Sequence, residues 1–282
     1  MSRLEEILLL AKAVPPFPKV AQRVLAMLDD PSVKAADLAE VIQYDAAITA
    51  NILKICNSAM FGLHRKISSL EEALVVLGQT ELKDIIITSS SAKFYKGNVG
   101  AGYDLDKGGL WHHSVASAIV ARGLSPFVKG TSRGTAFTTA LLHDIGKRFL
   151  SSFVADDMER IIGMVDEKGC SFVEAEREIL GTTHAELGGL ILQKWEFDPE
   201  MVAAVREHHD PDALDKGPLS ALVALSNAIV VSMGIGGGAD GLAVKLQGAG
   251  LAKYGIKPET IDNCMVDLLV EMEKAHDVLS LG

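Results

Sequence analysis

The residues of this chain best suited to chemistry are its histidines. Two adjacent pairs occur, His112-His113 and His208-His209; His143 is followed directly by Asp144 within TTALLHDIGKRFL (138–150), and His184 stands in THAELGG. Taken singly, each has an ordinary reading, as a hydrogen-bonded core histidine or a helix cap. Taken together they do not, because each lies on a separate helix-like segment among small and apolar neighbours. Burying several imidazoles without partners is costly. A bound cation removes that cost, since neutral imidazole nitrogens and carboxylate oxygens become its ligands. The residue types suit one or two divalent transition ions, Fe, Mn, Ni or Zn, and the two oxygens of Asp144 allow it to bridge a pair. Lys147 falls one turn after His143 on the same helical face. It is open to two readings, a solvated helix cation or a contact to phosphate. His64 and His276 have no such grouping, and His112 falls to the helix surface or to a place behind the ligands.

These side chains must be held by helices. Apolar residues recur at spacings of three and four, as in Val20, Val24, Leu25 and Leu28, which describes one stripe of a helix. In SSLEEALVVLG, Ser69 and Glu72 form a capping-box pattern and Gly78 stands where a helix ends. The turn-rich KGNVGAGYDLDKGG (96–109) marks a seam, so the expected domains are an N-terminal helical lobe, 1–97, and a second lobe, 98–282. Helices are predicted near 110–124, 134–151, 156–168, 171–180, 183–195, 198–209, 218–233 and 259–279. The His143-Asp144 pair thus falls inside one of them, and Asp198-Pro199 is a start signal for another. GIGGGADG (234–241) has no Gly-Lys-Ser/Thr after it, so it reads as a connector and not a phosphate loop. The fold class expected is all-α and two-lobed.

Composition narrows the function classes. The chain has 282 residues, 48% hydrophobic and 23% charged, with aromatics at only 5%, a palette of packed helices. A formal net charge of −10 lacks the basic surface that phosphate neutralisation needs, so no DNA partner is expected. Three widely spaced cysteines, Cys56, Cys170 and Cys264, give neither a disulfide framework nor a CxxC knuckle. With no apolar run near ~18 residues and no secretion signal, the expectation is a cytoplasmic protein with no membrane partner.

The set LWHHSVASAIVA, LLHDIGK, THAELGGLIL and REHH resembles the HD superfamily of metal-dependent phosphohydrolases. PPFPKVAQRVLAMLDDP, VIQYDAAITANILKICNSAMFG and ISSLEEALVVLGQTELKDIII resemble its HDOD branch, in which a helical lobe precedes the HD-like core. The resemblance runs from about residue 14 to about residue 233. It implies that His113, His143 and Asp144 belong to one metal half-site, whose last ligand, usually Asp, is here Asn227. An amide oxygen is neutral and a weaker ligand for a hard cation. Similarity to the HD-GYP phosphodiesterases of cyclic di-GMP implies a second half-site of His184, His208 and His209, bridged by Asp144. The loop HHDPDALDKGP lacks the GYP signature. The resemblance therefore implies a bacterial signal-transduction module, metal-binding and regulatory, with a protein partner or nucleotide ligand not identified. The alternative is an active phosphohydrolase or phosphodiesterase using Asp144 and Lys147; a third reading is a metal-free helical scaffold.

Overall fold

In the computed structural model, which describes residues 2–28, 30, 32–57, 65–95, 100–236, 238, 249–275 and 280, every regular element is helical; no strand occurs among the described residues. Expectations for His64, His276 and most of 237–248 lie outside them. Contacts divide the chain into two units, one of residues 1–15 and 94–268, the other of 16–93 and 269–282.

The smaller unit contains α2 (Lys19–Leu28), α3 (Ala35–Ile42), α4 (Ala46–Cys56) and most of α5 (Leu70–Tyr95), which follow α1 (Arg3–Ala13). The Asp45 carboxylate accepts from the N–H groups of Ala47 and Ile48 to start α4, and, as the sequence signals, Ser69 Oγ accepts from Glu72 N–H. Gly78 takes φ +76° and interrupts α5, which then resumes.

The larger unit carries the histidines. After α6 (Gly100–Tyr103) come α7 (Gly109–Leu124), α8 (Arg133–Leu142), α9 (Ile145–Lys168), α10 (Phe172–Leu180), α11 (His184–Lys194), α12 (Pro199–Glu207), α13 (Ala213–Lys216), α14 (Pro218–Ser232), α15 (Ala249–Lys253) and α16 (Pro258–Lys274). The core is a stack in which α7 lies against α8 and α14, α12 against α11 and α14, and α9 against α6, α10 and α11. α7 and α14 are buried on nearly every side, as expected of central helices. α1 joins this unit through the far end of α11, where Lys194 Nζ donates to Val14 O at 2.7 Å and Trp195 Nε1–H to Pro15 O at 2.8 Å.

Two helix boundaries differ from the sequence expectation, and one falls on the motif itself. The stretch 134–151 is not one helix: α8 ends at Leu142, His143 is its C-cap, and Asp144 (φ −98°, ψ 9°) opens α9. Apolar periodicity passes through the break because His143 and Asp144 are as buried as the leucines before them, so pattern alone reveals no change of direction. The gap expected at 152–155 is helical instead. Packing of Leu150, Ser151 and Val154 into the core outweighs the weak helix preference of serine.

Candidate metal centre

Six helices and their ends deliver side chains to one place. α7 supplies His113, the α8–α9 junction His143 and Asp144, the first turn of α9 Lys147, the first residue of α11 His184, the end of α12 His208 with His209 after it, and α14 Asn227. His143, Asp144, His184 and His208 are fully buried, His113, Asn227 and Lys147 nearly so, and His209 is partly exposed. His112 faces outward. Among the described residues, two groups have ligand atoms within 4.8 Å of one another: Asp144, His184, His208 and His209; and His113, His143 and Asp144.

Each buried ring is fixed from behind. The Nδ1–H of His143 donates to Ala140 O and that of His208 to Val205 O, both at 2.6 Å; that of His113 donates to Ile235 O at 3.1 Å, and that of His184 to Glu176 Oε2 at 2.9 Å. Committing Nδ1 in this way leaves Nε2 as the nitrogen that faces the centre, the arrangement by which proteins orient metal-binding histidines. His143 Nε2, His208 Nε2 and Asp144 Oδ1 are buried and make no hydrogen bond. Unpartnered buried polar atoms are rare because each costs about 1–3 kcal/mol. Three of them converging are what a cation site leaves when its ion is subtracted, so the donor set fits a divalent metal.

Asp144 is the hub, and its two oxygens face different neighbours. Oδ2 accepts from Lys147 Nζ at 2.6 Å and lies 3.5 Å from His113 Nε2 and 3.4 Å from His143 Nε2. Oδ1 lies 3.6 Å from both His184 Nε2 and His208 Nε2. Burial alone would raise its pKa, but His143 and Lys147 hold it well below the usual carboxylate range. Burial pushes His113 and His208 down to about 4, against the pull of Asp144, and lowers His209 strongly. His184 is the exception: burial lowers it, yet the charge of Glu176 more than compensates and its pKa is raised.

Lys147 is therefore not the solvated helix cation that was one of the two readings the sequence left open. It is a buried cation paired with Asp144, 5.7 Å above the Tyr103 ring.

Three supporting groups escaped the sequence reading. Glu176 is fully buried and accepts from the backbone N–H and ring Nδ1–H of His184 and from Tyr103 Oη–H at 2.5 Å. It had a legible signal: it lies four residues from both Phe172 and Leu180, on the apolar stripe of α10, where a charge is unexpected. Tyr103 came from the stretch taken as a seam. Ile235 contributes only its carbonyl, which side-chain type does not disclose; a Cβ on its neighbour Gly236 would meet Gly109 O at 2.4 Å and His113 Cβ at 2.9 Å, so the start of the connector presses against α7. A second close approach joins the two metal groups, since a Cβ on Gly146 would meet His184 O at 1.9 Å.

Comparison with known proteins supplies the rest. An uncharacterized protein of Treponema pallidum (strain Nichols) is 22% identical over 220 residues, 77% of this chain, which spans 42% of that relative's length. A solved structure from Shewanella amazonensis SB2B, a candidate phosphohydrolase, superposes with TM-score 0.71 at 22% identity, covering 98% of this chain and 97% of that one. Another, a candidate signal transduction protein of Marinobacter aquaeolei VT8, gives TM-score 0.75 at 19% identity over 95% of this chain and 60% of its own. At these identities the likeness is one of fold. The HDOD domain family model matches residues 14–211, and with the helical fold around a His/Asp cluster, the chain belongs to the HDOD family.

Proposed function

We propose that this chain is a regulatory module of bacterial signal transduction in which a divalent metal centre braces the larger unit, and that it reports a ligand or partner without turning over a substrate. Asp144, His184, His208 and His209 would hold the metal, one or two first-row ions of the Fe, Mn, Ni or Zn type. The observation that carries this reading is the engagement of Lys147. Its ammonium is buried against Asp144, so the lysine of the motif is engaged by the central carboxylate and not directed toward solvent. Bracing follows from topology: the four residues come from positions 144 to 209 and lie on three separate helical junctions, so an ion that binds only the folded state stabilises their association. The helices before residue 98 then offer the surface for a signalling partner. A nucleotide is the alternative ligand.

The test is turnover. Metal-loaded protein is offered phosphomonoesters, nucleotides and cyclic dinucleotides with Mn, Fe and Ni in turn. No hydrolysis is expected; hydrolysis abolished by Asp144→Ala would overturn the reading.

One observation favours an active phosphohydrolase instead. His209 is partly exposed, so the Oδ1 side of the centre has an edge open to solvent. A divalent ion there would supply Lewis-acid polarisation of a phosphoryl oxygen. On this reading His184, oriented by Glu176, and His208, oriented by Val205 O, position the ion, and His209 borders the substrate. The same panel decides between the two.

A further inference from the structure

We propose that the groove between α2 and α3, in the smaller unit, is the docking site for an acidic amphipathic segment of a partner protein. This rests on the reading above, in which the helices before residue 98 face a signalling partner, and gives that surface a place and its partner a chemistry.

α2 packs on α3, and each buries one apolar stripe, Ala21, Val24 and Leu28 from α2 and Leu38, Ala39 and Ile42 from α3. Outside that seam lies a cavity of about 660 Å³ whose lining includes Lys19, Val20 and Arg23 of α2, Glu40 and Val41 of α3, and Tyr44 just beyond α3. Val20 and Val41 are half-buried and give it an apolar floor, while the charged residues are exposed. The Tyr44 ring is left 82% exposed. Neither Lys19 nor Arg23 has an acidic partner among the described residues, and α2 itself, KVAQRVLAML, contains no acid.

Charge and shape select the occupant. Cations four residues apart share one helix face and repel each other, so a negative group laid between Lys19 and Arg23 relieves a cost that the free chain carries. Tyrosine and arginine are also the residue types on which binding energy concentrates, in sites that a partner closes off from water. The signs in the groove are mixed, however, with cations on the α2 wall and Glu40 on the α3 wall. A phosphate chain carries one sign throughout and would meet Glu40; a peptide places its carboxylates singly. Acids one helical turn apart on a partner helix match the spacing of Lys19 and Arg23, about 6 Å along the axis. An apolar side chain between them covers Val20, Val41 and the Tyr44 ring, the way an amphipathic helix seats in a groove.

The experiment selects the partner sequence and then removes its contacts. Random peptides displayed on phage are panned against the immobilised full chain, and the recovered sequences are synthesised with a fluorescein label for anisotropy titration. Enrichment of Asp and Glu spaced three or four apart among apolar residues is expected. Binding should weaken as ionic strength rises from about 0.1 M to about 1 M, which shortens the screening length from about 10 Å to about 3 Å. Lys19→Glu combined with Arg23→Glu should weaken it at least about tenfold, since like charges then face each other, and Tyr44→Ala at least about fivefold. Lys66→Glu, exposed and outside the groove, should change nothing. No enrichment, enrichment without acids, or peptides that hold the charge-reversed variant as well as the unaltered chain would each overturn the proposal. So would ATP, or vesicles of phosphatidylserine in phosphatidylcholine, bound through these residues more tightly than any recovered peptide. Hydrolysis by the metal-loaded chain would sink the regulatory reading and leave the peptide result standing, so the two failures are told apart.

Discussion

Glu176 and His184 are joined twice: one carboxylate oxygen accepts both the backbone N–H and the ring Nδ1–H of the histidine, each at 2.9 Å. The first bond ties α10 to the first residue of α11 and the second fixes which way the ring points. Glu176→Gln preserves the shape but weakens the acceptor, and groups in this position are worth about 10–100-fold in metal affinity. Competition against a chelating dye should show a loss of that size for Zn(II), and Tyr103→Phe a smaller one. Unchanged affinity in Glu176→Gln would remove Glu176 from the centre.

Gly146 sets the separation of α9 from α11. A methyl there would lie 1.9 Å from His184 O and 2.8 Å from Gly188 N, both backbone atoms that cannot swing aside. Gly146→Ala should cost about 3 kcal/mol or more in denaturant unfolding. Gly163, on the same helix with open space around it, is the control. Gly163→Ala should stabilise by up to about 1 kcal/mol.

Chelation should lower the melting temperature of the loaded protein and leave Asp144→Asn, which keeps the volume but loses the charge, almost unaffected. With free metal at about 100 times its Kd the bound ion adds about 2.7 kcal/mol. Calorimetry with and without a chelator measures the difference directly; equal melting of both forms of the unaltered chain would show that the ion braces nothing.

The stripped protein should weaken in mild acid. His113 and His208 titrate at about 4 when folded against 6.5 when free. Between those values the unfolded chain binds more protons, so stability present above pH 6.5 is lost as pH falls toward 4. Each ring contributes on the order of a few kcal/mol, less than additively because the rings sense one another. His184, raised by Glu176, acts in the opposite sense: its contribution is full below pH 6.5 and fades as pH rises through its folded value. With His209 also lowered, the downward slope on acidification should dominate. Urea midpoints across pH 4–7 test this.

Much of the fold was legible because helices announce themselves through spacing and caps. The Asp198-Pro199 start, the Gly78 break and the buried α14 all follow from residue type. The cluster was legible for a different reason: paired histidines among apolar residues have few inexpensive fates. What stayed hidden is what residue type does not encode. The turn at His143-Asp144 was masked by burial as complete as that of Leu141 and Leu142. The Ile235 carbonyl is a main-chain group that any residue carries. The Lys147 pairing required knowing that Asp144 turns its two oxygens to opposite sides.

Since α8 stops and α9 starts at His143-Asp144, the centre sits where one helix hands over to the next. α9 runs 24 residues from that point, about 36 Å, and near its middle Asp156 and Asp157 grip Arg3 of α1. A rotation of about 3° at that junction would carry the distant tip through about 2 Å. An ion held at one extremity of α9 would therefore be linked, through a single continuous helix, to the Arg3 contacts half its length away.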